Sequence, residues 1–300
     1  MTTAKKTTRA KVKPAANGRA LCIGLNSVDP NHYQGWVGTL IACEADANDM
    51  ADIANSQHFQ NVNVLLTQSA TRANVLGNLK TAALASKPGD LFMLSYSGHG
   101  AQLPDLDGDE DDGMDETWAL FDGELIDDEL YAALADFQQG VRILVLSDSC
   151  NSGTVTKSAY YTNRGQAQSR FPSPETFPNL TTEVAYRTMP LSIALQTYRA
   201  NRSLYDPLLN KPKGRKVKSD IQASCLLVSG CQDNQLSQDG TFNGLFTGTL
   251  LRKWNAGKFN GNYRDFHHSI LSAMPPDQSP NYFWASAADH KFEQQAPFTV

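Results

Sequence analysis

Residues 90–100 have the sequence DLFMLSYSGHG, and residues 141–153 have the sequence VRILVLSDSCNSG. Each stretch begins with an apolar run that is typical of a buried β-strand and ends in small and polar residues. His99 therefore follows one predicted strand, and Cys150 follows another. Ligand sites in parallel α/β sheets lie at the carboxyl ends of the strands, so the two stretches predict one shared site.

His99 and Cys150 are the residue types of a base and a nucleophile. A free thiol is only slightly ionised at neutral pH, and a positioned imidazole that takes its proton makes it a strong nucleophile. The backbone N–H groups of Gly100 and Cys150 are the predicted donors to a developing oxyanion. Taken singly, a histidine in a glycine-rich turn or a cysteine at a strand end is more often structural. Their matched placement favours a cysteine hydrolase.

Strand-like and helix-like segments alternate along most of the chain. Apolar runs predict strands at 19–25, 62–67, 90–97, 141–147 and 224–229, with a short further run at 117–121. Helical spacing predicts helices at 44–55, 72–85, 127–137, 244–254 and 263–274. This alternation predicts an α/β fold with a mostly parallel central sheet and helices on both faces.

Composition limits the classes of protein to which the chain can belong. A length of 300 residues suits one large α/β core, and a net charge of -5 gives no support for nucleic acid as a partner. No run of about 18 apolar residues occurs, so we expect no membrane span and no membrane partner. The five cysteines are scattered without zinc-ligand spacing, which predicts reduced thiols and a cytoplasmic protein.

The chain divides into four predicted segments. Residues 1–18 are rich in lysine and arginine and contain no acid, and we expect them to form a disordered basic arm. No apolar stretch follows that could make this arm a signal peptide. Residues 19–153 form a larger catalytic subdomain, and residues 222–300 form a smaller subdomain of the same fold unit. Between them, residues 154–221 are polar and basic, with only a weak helix signal near 191–202. We expect this segment to be an exposed linker.

The two strand-end motifs resemble those of the caspase-like cysteine peptidases, and specifically the metacaspase and bacterial orthocaspase branch. Ser-Gly-His-Gly at 97–100 is followed by Asp-Ser-Cys-Asn-Ser-Gly at 148–153, and the caspase signature likewise has its histidine about 50 residues upstream of the cysteine. Residues 40–50 and 228–235 are also similar to metacaspase segments. The resemblance implies a caspase-hemoglobinase-like αβα sandwich and a monomeric endopeptidase. It implies no cofactor for the chemistry itself.

By resemblance to metacaspases, Asp46 and Asp148 form the floor of the S1 pocket, with Cys43 and Ser97 on its walls. Caspases have glutamine two residues before the nucleophile, where it helps to hold an aspartate at P1. This chain has Asp148 there, and an acid cannot favour an acidic P1 residue. Two carboxylates attract arginine or lysine, and a bidentate guanidinium contact is the better fit. We therefore expect cleavage of protein or peptide substrates after arginine or lysine.

The segment 105–116 contains a dense group of acidic residues, whose oxygens are ligands that suit Ca²⁺. Asp105, Asp107, Asp109 and Glu116 fall at positions 1, 3, 5 and 12 of an EF-hand template, but the glycine is at position 4 instead of 6 and no predicted helix precedes the loop. The resemblance adds further positions at which metacaspases bind calcium: Asp115, Asp127 and Asp128. An acidic ligand of that family is replaced here by Thr156-Lys157. The sequence is compatible with two interpretations, a calcium site and an acidic loop that is only solvated.

Basic residues in the predicted linker are candidate processing sites for a protease with a basic P1 preference. The first three are Lys157, Arg164 and Arg170. The resemblance favours self-processing in this linker, since peptidases of that family are processed between their large and small subunits. The alternative is that these residues only keep the segment soluble.

Two other functions fit the same fold. One is a legumain-like or separase-like peptidase with a different P1 residue, although Asp46 and Asp148 argue against asparagine or aspartate there. The other is a catalytically silent caspase-fold module that binds partners. Such a module usually lacks the histidine or the cysteine, and this chain has both.

Overall fold

The computed structural model describes residues 16–104, 106, 114–149, 185–210, 220–231 and 237–300. Its strands are β1 (Gly18–Gly24), β2 (Asn61–Leu66), β3 (Leu91–Ser97), β4 (Gly100–Pro104), β5 (Met114–Leu120), β6 (Gly123–Ile126), β7 (Arg142–Asp148), β8 (Ser224–Ser229) and β9 (Asn281–Trp284). Its helices are α1 (Cys43–Ser56), α2 (Arg72–Ala85), α3 (Asp127–Leu134), α4 (Leu191–Ala200), α5 (Arg202–Leu209), α6 (Leu245–Trp254), α7 (Tyr263–Leu271) and α8 (His290–Glu293). The strands and helices predicted from apolar spacing are present, with ends shifted by a few residues.

Six strands form the central sheet, in the order β2-β1-β3-β7-β8-β9. Every neighbouring pair is parallel except β8 with β9. Successive residues of a strand point to opposite faces, so buried strands carry apolar residues at nearly every position. In β1, Leu21 and Ile23 belong to the core that contains α2 and α3. Ala20 and Cys22 belong to the core that contains α1, α6 and α7. The predicted αβα sandwich is confirmed.

The strand order reverses beside β1. The chain passes from β1 to β2 on one side and then to β3 on the other, which opens a crevice at the carboxyl ends of β1 and β3. β7 pairs with β3 in a register that sets Ser97 beside Asp148. In sequence, these residues stand two positions before His99 and Cys150, respectively. The parallel register thus directs both motifs to the same edge of the sheet.

A smaller antiparallel sheet, β4-β5-β6, follows His99 directly. In this region the apolar run at 117–121 predicts only part of β5. β4 begins at Gly100 and ends at Pro104, and β6 has four residues, so neither contains an apolar run long enough to stand out. The small sheet contacts α4 through β4.

The described part of the predicted linker is packed rather than exposed. Residues 191–209 form α4 and α5, whose buried side chains include Tyr198, Tyr205 and Leu209. The hydroxyl of Tyr205 accepts a hydrogen bond of 2.9 Å from the backbone N–H of Glu124 in β6 and lies 2.7 Å from Nε2 of His32. The two helices are short and amphipathic, which explains why composition alone predicted an open linker. Lys157, Arg164 and Arg170 lie outside the described residues.

No helix in the described ranges is long and apolar enough to cross a membrane. The basic arm falls mostly in residues 1–15, which are outside the described residues. β8 pairs in register with β7, so the two predicted subdomains contribute strands to one sheet.

Candidate active site

His99 follows β3 and is almost fully buried. Its Nε2 lies 3.0 Å from the carbonyl oxygen of Gly38, and its ring packs against Trp36 with 4.7 Å between ring centroids. A carbonyl can only accept, so Nε2 carries the proton and Nδ1 is the basic nitrogen of the neutral ring. Nδ1 is buried and has no hydrogen-bond partner among the described residues.

Burial, together with the nearby cation of Arg187, lowers the pKa of His99 to about 4, although the hydrogen bond to Gly38 opposes the shift. The imidazole is therefore neutral near pH 7. A neutral imidazole with an open Nδ1 can accept a proton from a thiol. Cys150, the predicted nucleophile, lies outside the described residues.

Gly100 is the first residue of β4. Its backbone N–H donates a hydrogen bond of 3.0 Å to the carbonyl oxygen of Arg187. This N–H is the donor predicted from the sequence for a developing oxyanion, and its acceptor in the structure is a carbonyl of the chain itself. The second predicted donor, the N–H of Cys150, lies outside the described residues.

Asp46 lies in the first turn of α1 with its carboxylate buried at the carboxyl end of the sheet. Its Oδ2 accepts hydrogen bonds from the hydroxyl of Ser97 at 2.7 Å and from Nη2 of Arg187 at 2.7 Å. Its Oδ1 accepts from the amide of Asn243 at 3.0 Å and from the backbone N–H of Gly244 at 3.1 Å. Burial raises the pKa of Asp46 to about 6, with Arg187 opposing the shift.

Asp148 is the last residue of β7 and faces the same pocket. Its Oδ1 accepts from the hydroxyl of Ser237 at 2.5 Å. Its Oδ2 accepts from the hydroxyl and backbone N–H of Thr247, at 2.8 and 3.0 Å, and forms an ion pair of 3.0 Å with Nη1 of Arg187. Ser237 and Thr247 therefore hold the carboxylate in place beside Arg187.

Arg187 fills the pocket between these acids, and none of its side chain is exposed. Nη1 donates to the hydroxyl of Ser97 at 2.8 Å and pairs with Asp148. Nη2 pairs with Asp46 and, at 3.0 Å, with Oδ1 of Asp239. Burial opposes ionisation of the guanidinium, but the carboxylates of Asp148, Asp46 and Asp239 outweigh it and raise the pKa of Arg187.

The predicted wall residues occupy the same place. Ser97 links the pocket, since its hydroxyl accepts from Arg187 and donates to Asp46. Cys43 starts α1 and is completely buried, and burial raises the pKa of its thiol to about 12. A thiol with so high a pKa stays protonated, so Cys43 is a packing residue and not a second nucleophile. The structure thus brings Asp46, Asp148, Cys43 and Ser97 together.

Two residues that close the pocket from the loop after β8 were not predicted from the sequence. Asp239 supplies a third carboxylate, and its Oδ2 accepts from the backbone N–H of Ile41 at 2.8 Å. A Cβ atom at Gly244 would meet the guanidinium of Arg187 at 2.5 to 2.6 Å, so a residue without a side chain is required there. The position of Asp239 and Gly244 after the carboxyl end of the parallel strand β8 is the signal that could have identified them, as it identified His99 after β3.

The predicted calcium ligands are only partly described. Asp115 is buried in β5, and Asp127 and Asp128 begin α3, where Oδ1 of Asp127 accepts the backbone N–H of Asp128 at 2.8 Å. Within the described ranges, no three His, Cys, Asp or Glu side chains converge as a metal-binding group. Asp107 and Asp109 lie outside those ranges.

Comparisons with known proteins agree with this geometry. A family model described as the caspase domain matches residues 17–295. Metacaspase-1 of Kluyveromyces lactis is 30% identical over 260 residues, which cover 77% of this chain and 56% of that protein. Metacaspase-1A of Aspergillus oryzae is 31% identical over 259 residues, covering 77% and 58%. The chain spans little more than half the length of these curated relatives.

Two solved structures are similar. The crystal structure of protein GSU0716 from Geobacter sulfurreducens is 55% identical, has a TM-score of 0.83, and is matched over 95% of this chain and 99% of that one. Caspase-1 from Spodoptera frugiperda is 11% identical with a TM-score of 0.52, covering 96% of both chains, which shows the fold alone. With the caspase-domain match over nearly its whole length, the chain belongs to the caspase-domain family of cysteine peptidases, among which metacaspases are its relatives.

Proposed function

We propose that this chain is a cysteine endopeptidase that cleaves after arginine, and more slowly after lysine, with Cys150 as nucleophile and His99 as base. The proposal rests on the buried pocket at Ser97, which stands two positions before His99 in the sequence. In this pocket the carboxylates of Asp46, Asp148 and Asp239 surround the guanidinium of Arg187. A pocket with this charge attracts a cationic P1 side chain and repels an acidic one.

The chemistry follows from the orientation of the imidazole. Nδ1 of His99 takes the proton of the Cys150 thiol, and the thiolate attacks the carbonyl carbon of the P1 residue. The carbonyl oxygen gains negative charge and is stabilised by the N–H of Gly100. His99 then gives its proton to the leaving amine as the C–N bond breaks. Water, deprotonated by His99, hydrolyses the thioester and restores the thiol.

Arginine suits the pocket better than lysine. The two terminal nitrogens of a guanidinium are served separately, one by Ser97 and Asp148 and the other by Asp46 and Asp239. A lysine ammonium is a single nitrogen with three donors, so it cannot satisfy both groups at once. We expect kcat/KM to be about tenfold or more higher for arginine, since each charge-assisted hydrogen bond lost costs about 1.5 kcal/mol or more.

Fluorogenic peptides that differ only at P1 test this function. We expect turnover of the arginine peptide to exceed that of the lysine peptide, with no turnover of the aspartate peptide. Turnover should disappear in Cys150→Ala, and labelling by an iodoacetamide probe at neutral pH should fall in both Cys150→Ala and His99→Ala. Faster turnover of the aspartate peptide would overturn the assigned P1 preference.

The calcium hypothesis stands apart from this mechanism. The described carboxylates do not form a site by themselves, so Ca²⁺ would need Asp107 and Asp109 in addition. No step above uses a metal ion. Activity measured in CaCl₂ and in EGTA tests the hypothesis, and equal rates in the two would remove it.

A further inference from the structure

The chain passes through its own active site as an extended strand. Residues 185–189 lie between the loop that contains Ser237 and the start of β4. On one side, Tyr186 forms an antiparallel bridge with Gln238. On the other, Thr188 forms a parallel bridge with Gly100. An extended segment bound by main-chain hydrogen bonds is the way in which a protease holds a substrate.

The hydrogen bonds fix which residue of the segment lies at the reaction centre. The N–H of Arg187 donates to the carbonyl of Ser237 at 3.0 Å, and the N–H of Asp239 donates to the carbonyl of Ala185 at 2.9 Å. The carbonyl oxygen of Arg187 accepts from the N–H of Gly100 at 3.0 Å. The side chain of Arg187 fills the acidic pocket while its own carbonyl occupies the oxyanion position.

The residues after Arg187 are anchored as well. The N–H of Met189 donates to the carbonyl of Gly100 at 2.9 Å, and its side chain is buried against Tyr33 and Ala101. α4 begins immediately afterwards, at Leu191, and packs on β4. The peptide bond between Arg187 and Thr188 is therefore held from both sides next to His99.

Resting on the proposed function, we propose that Arg187–Thr188 is the first bond this enzyme cuts, that the cut is intramolecular, and that the segment 185–189 excludes other substrates until then. The side chain of Arg187 is 0% exposed, so an external P1 side chain cannot enter while it is present. Asp148, which stands two positions before Cys150 in the sequence, forms an ion pair of 3.0 Å with Arg187 of the same chain. Nη1 of Arg187 even donates to the backbone carbonyl of Asp148 at 3.1 Å.

The proposed step balances as an ordinary peptide hydrolysis. The thiolate of Cys150 adds to the carbonyl carbon of Arg187, and the bond to the nitrogen of Thr188 breaks. His99 transfers the proton from the thiol to that nitrogen, which becomes a new amino terminus. Water then hydrolyses the thioester and leaves a carboxylate on Arg187. The products are residues 1–187 and 188–300.

The first experiment identifies the bond that is cut and the kinetic order of the cleavage in protein concentration. Purified full-length chain is incubated over a 100-fold range of concentration, and the fragments are analysed by intact mass and amino-terminal sequencing. We expect a fragment that begins at Thr188, with a first-order rate constant that does not change on dilution. Cys150→Ala should stay whole. A first cut after Lys157, Arg164 or Arg170, or a rate that falls with dilution, overturns the proposal.

The second experiment tests the exclusion of external substrate. Arg187→Gln should stay whole at this bond and hydrolyse an external arginine peptide without a lag. Thr188→Pro keeps Arg187 in the pocket and blocks cleavage, so we expect its hydrolysis of that peptide to be about tenfold or more below that of Arg187→Gln. Arg199→Gln changes an exposed arginine of α4 and is the matched control that should behave as the wild type.

Folding is checked in each variant by thermal denaturation, because Arg187→Gln leaves three carboxylates without their cation. Arg187→Lys keeps the charge and should still be cut at the same bond, but more slowly. Equal, lag-free hydrolysis by wild type and Thr188→Pro overturns the proposed exclusion and leaves the arginine-directed peptidase standing. An uncut wild type, with no hydrolysis of the arginine peptide by any variant, overturns both.

Discussion

The three buried carboxylates of the acidic pocket lie beside a cation, whereas the buried carboxyl group of Glu124 does not. In the acidic pocket, Asp46, Asp148 and Asp239 surround a cation, and each carboxylate has additional donors. In the small sheet, Glu124 is completely buried in β6 without an ion pair among the described residues. Its Oε2 accepts from the hydroxyl of Thr117 at 2.7 Å, and its Oε1 has no partner among them.

The difference shows how a protein keeps a buried acid charged. Burial raises the pKa of Glu124 to about 8, so this side chain holds a proton at neutral pH. Burial raises the pKa of Asp46 only to about 6, since Arg187 and the hydroxyl of Ser97 stabilise the anion. A cation in the pocket therefore favours the charged form of Asp46, whereas the site of Glu124 favours the neutral acid.

Removing the charge of Asp148 should give the largest effect. Asp148→Asn keeps the size of the side chain but removes an ion pair that is buried on both sides. Breaking one partner of such a pair costs about 3 to 4 kcal/mol, so we expect kcat/KM for an arginine peptide to fall about 10²- to 10³-fold. Steady-state kinetics on the purified variant measures this loss.

Glu124→Gln is the matched control for this prediction, because it removes a buried carboxylate that binds no cation. Its kcat/KM for the arginine peptide should stay within about twofold of the wild-type value. A similar loss in both variants would mean that any buried acid matters and that the pocket has no special role.

Strong local patterns made much of this site predictable. His99 and Cys150 stand after apolar strands, and a parallel strand needs no long-range information to identify its carboxyl end. Asp46 and Asp148 lie inside motifs, so the family resemblance located them. Asp239 and Gly244 have neither advantage: they belong to an irregular loop, and only the folded chain brings that loop over the pocket.

Arg187 was beyond sequence reasoning for a different reason. It lies in a segment whose composition resembles that of a soluble linker, and its role depends on a contact with Asp46, which is 141 residues away. The short strands β4 and β6 were missed because four or five residues give too little periodicity to identify. Local sequence patterns therefore predict His99, Cys150, Asp46 and Asp148 as site residues but not the segment 185–189 that lies among them.

Asp239→Asn should have a smaller effect that concerns the choice between arginine and lysine. Asp239 contacts only Nη2, a nitrogen that lysine does not have. We expect kcat/KM for arginine to fall about tenfold, with a smaller loss for lysine, so that the preference narrows. Paired peptides with arginine and lysine at P1 measure the ratio.

The control for Asp239→Asn is Asp49→Asn. Asp49 accepts a hydrogen bond from Asn243 at 2.7 Å, so it lies beside the pocket and contributes to the same loop. Its carboxylate is not an ion-pair partner of Arg187. An equal change in the arginine-to-lysine ratio in both variants would show that net charge near the pocket, and not contact with Nη2, sets the preference.

The smallest expected effect concerns stability and comes from Glu124 itself. Because its pKa is raised from 4.5 to about 8, the folded state holds a proton that the unfolded state releases between these values. The stabilising contribution of Glu124 is thus complete below about pH 4.5 and is lost as the pH rises towards 8. Glu124→Gln stays neutral throughout and can still accept from Thr117. Its melting temperature relative to wild type should therefore increase by a few degrees from pH 5 to pH 8. Thermal denaturation at both pH values measures the difference, and a constant or shrinking difference would mean that Glu124 is ionised in the folded protein.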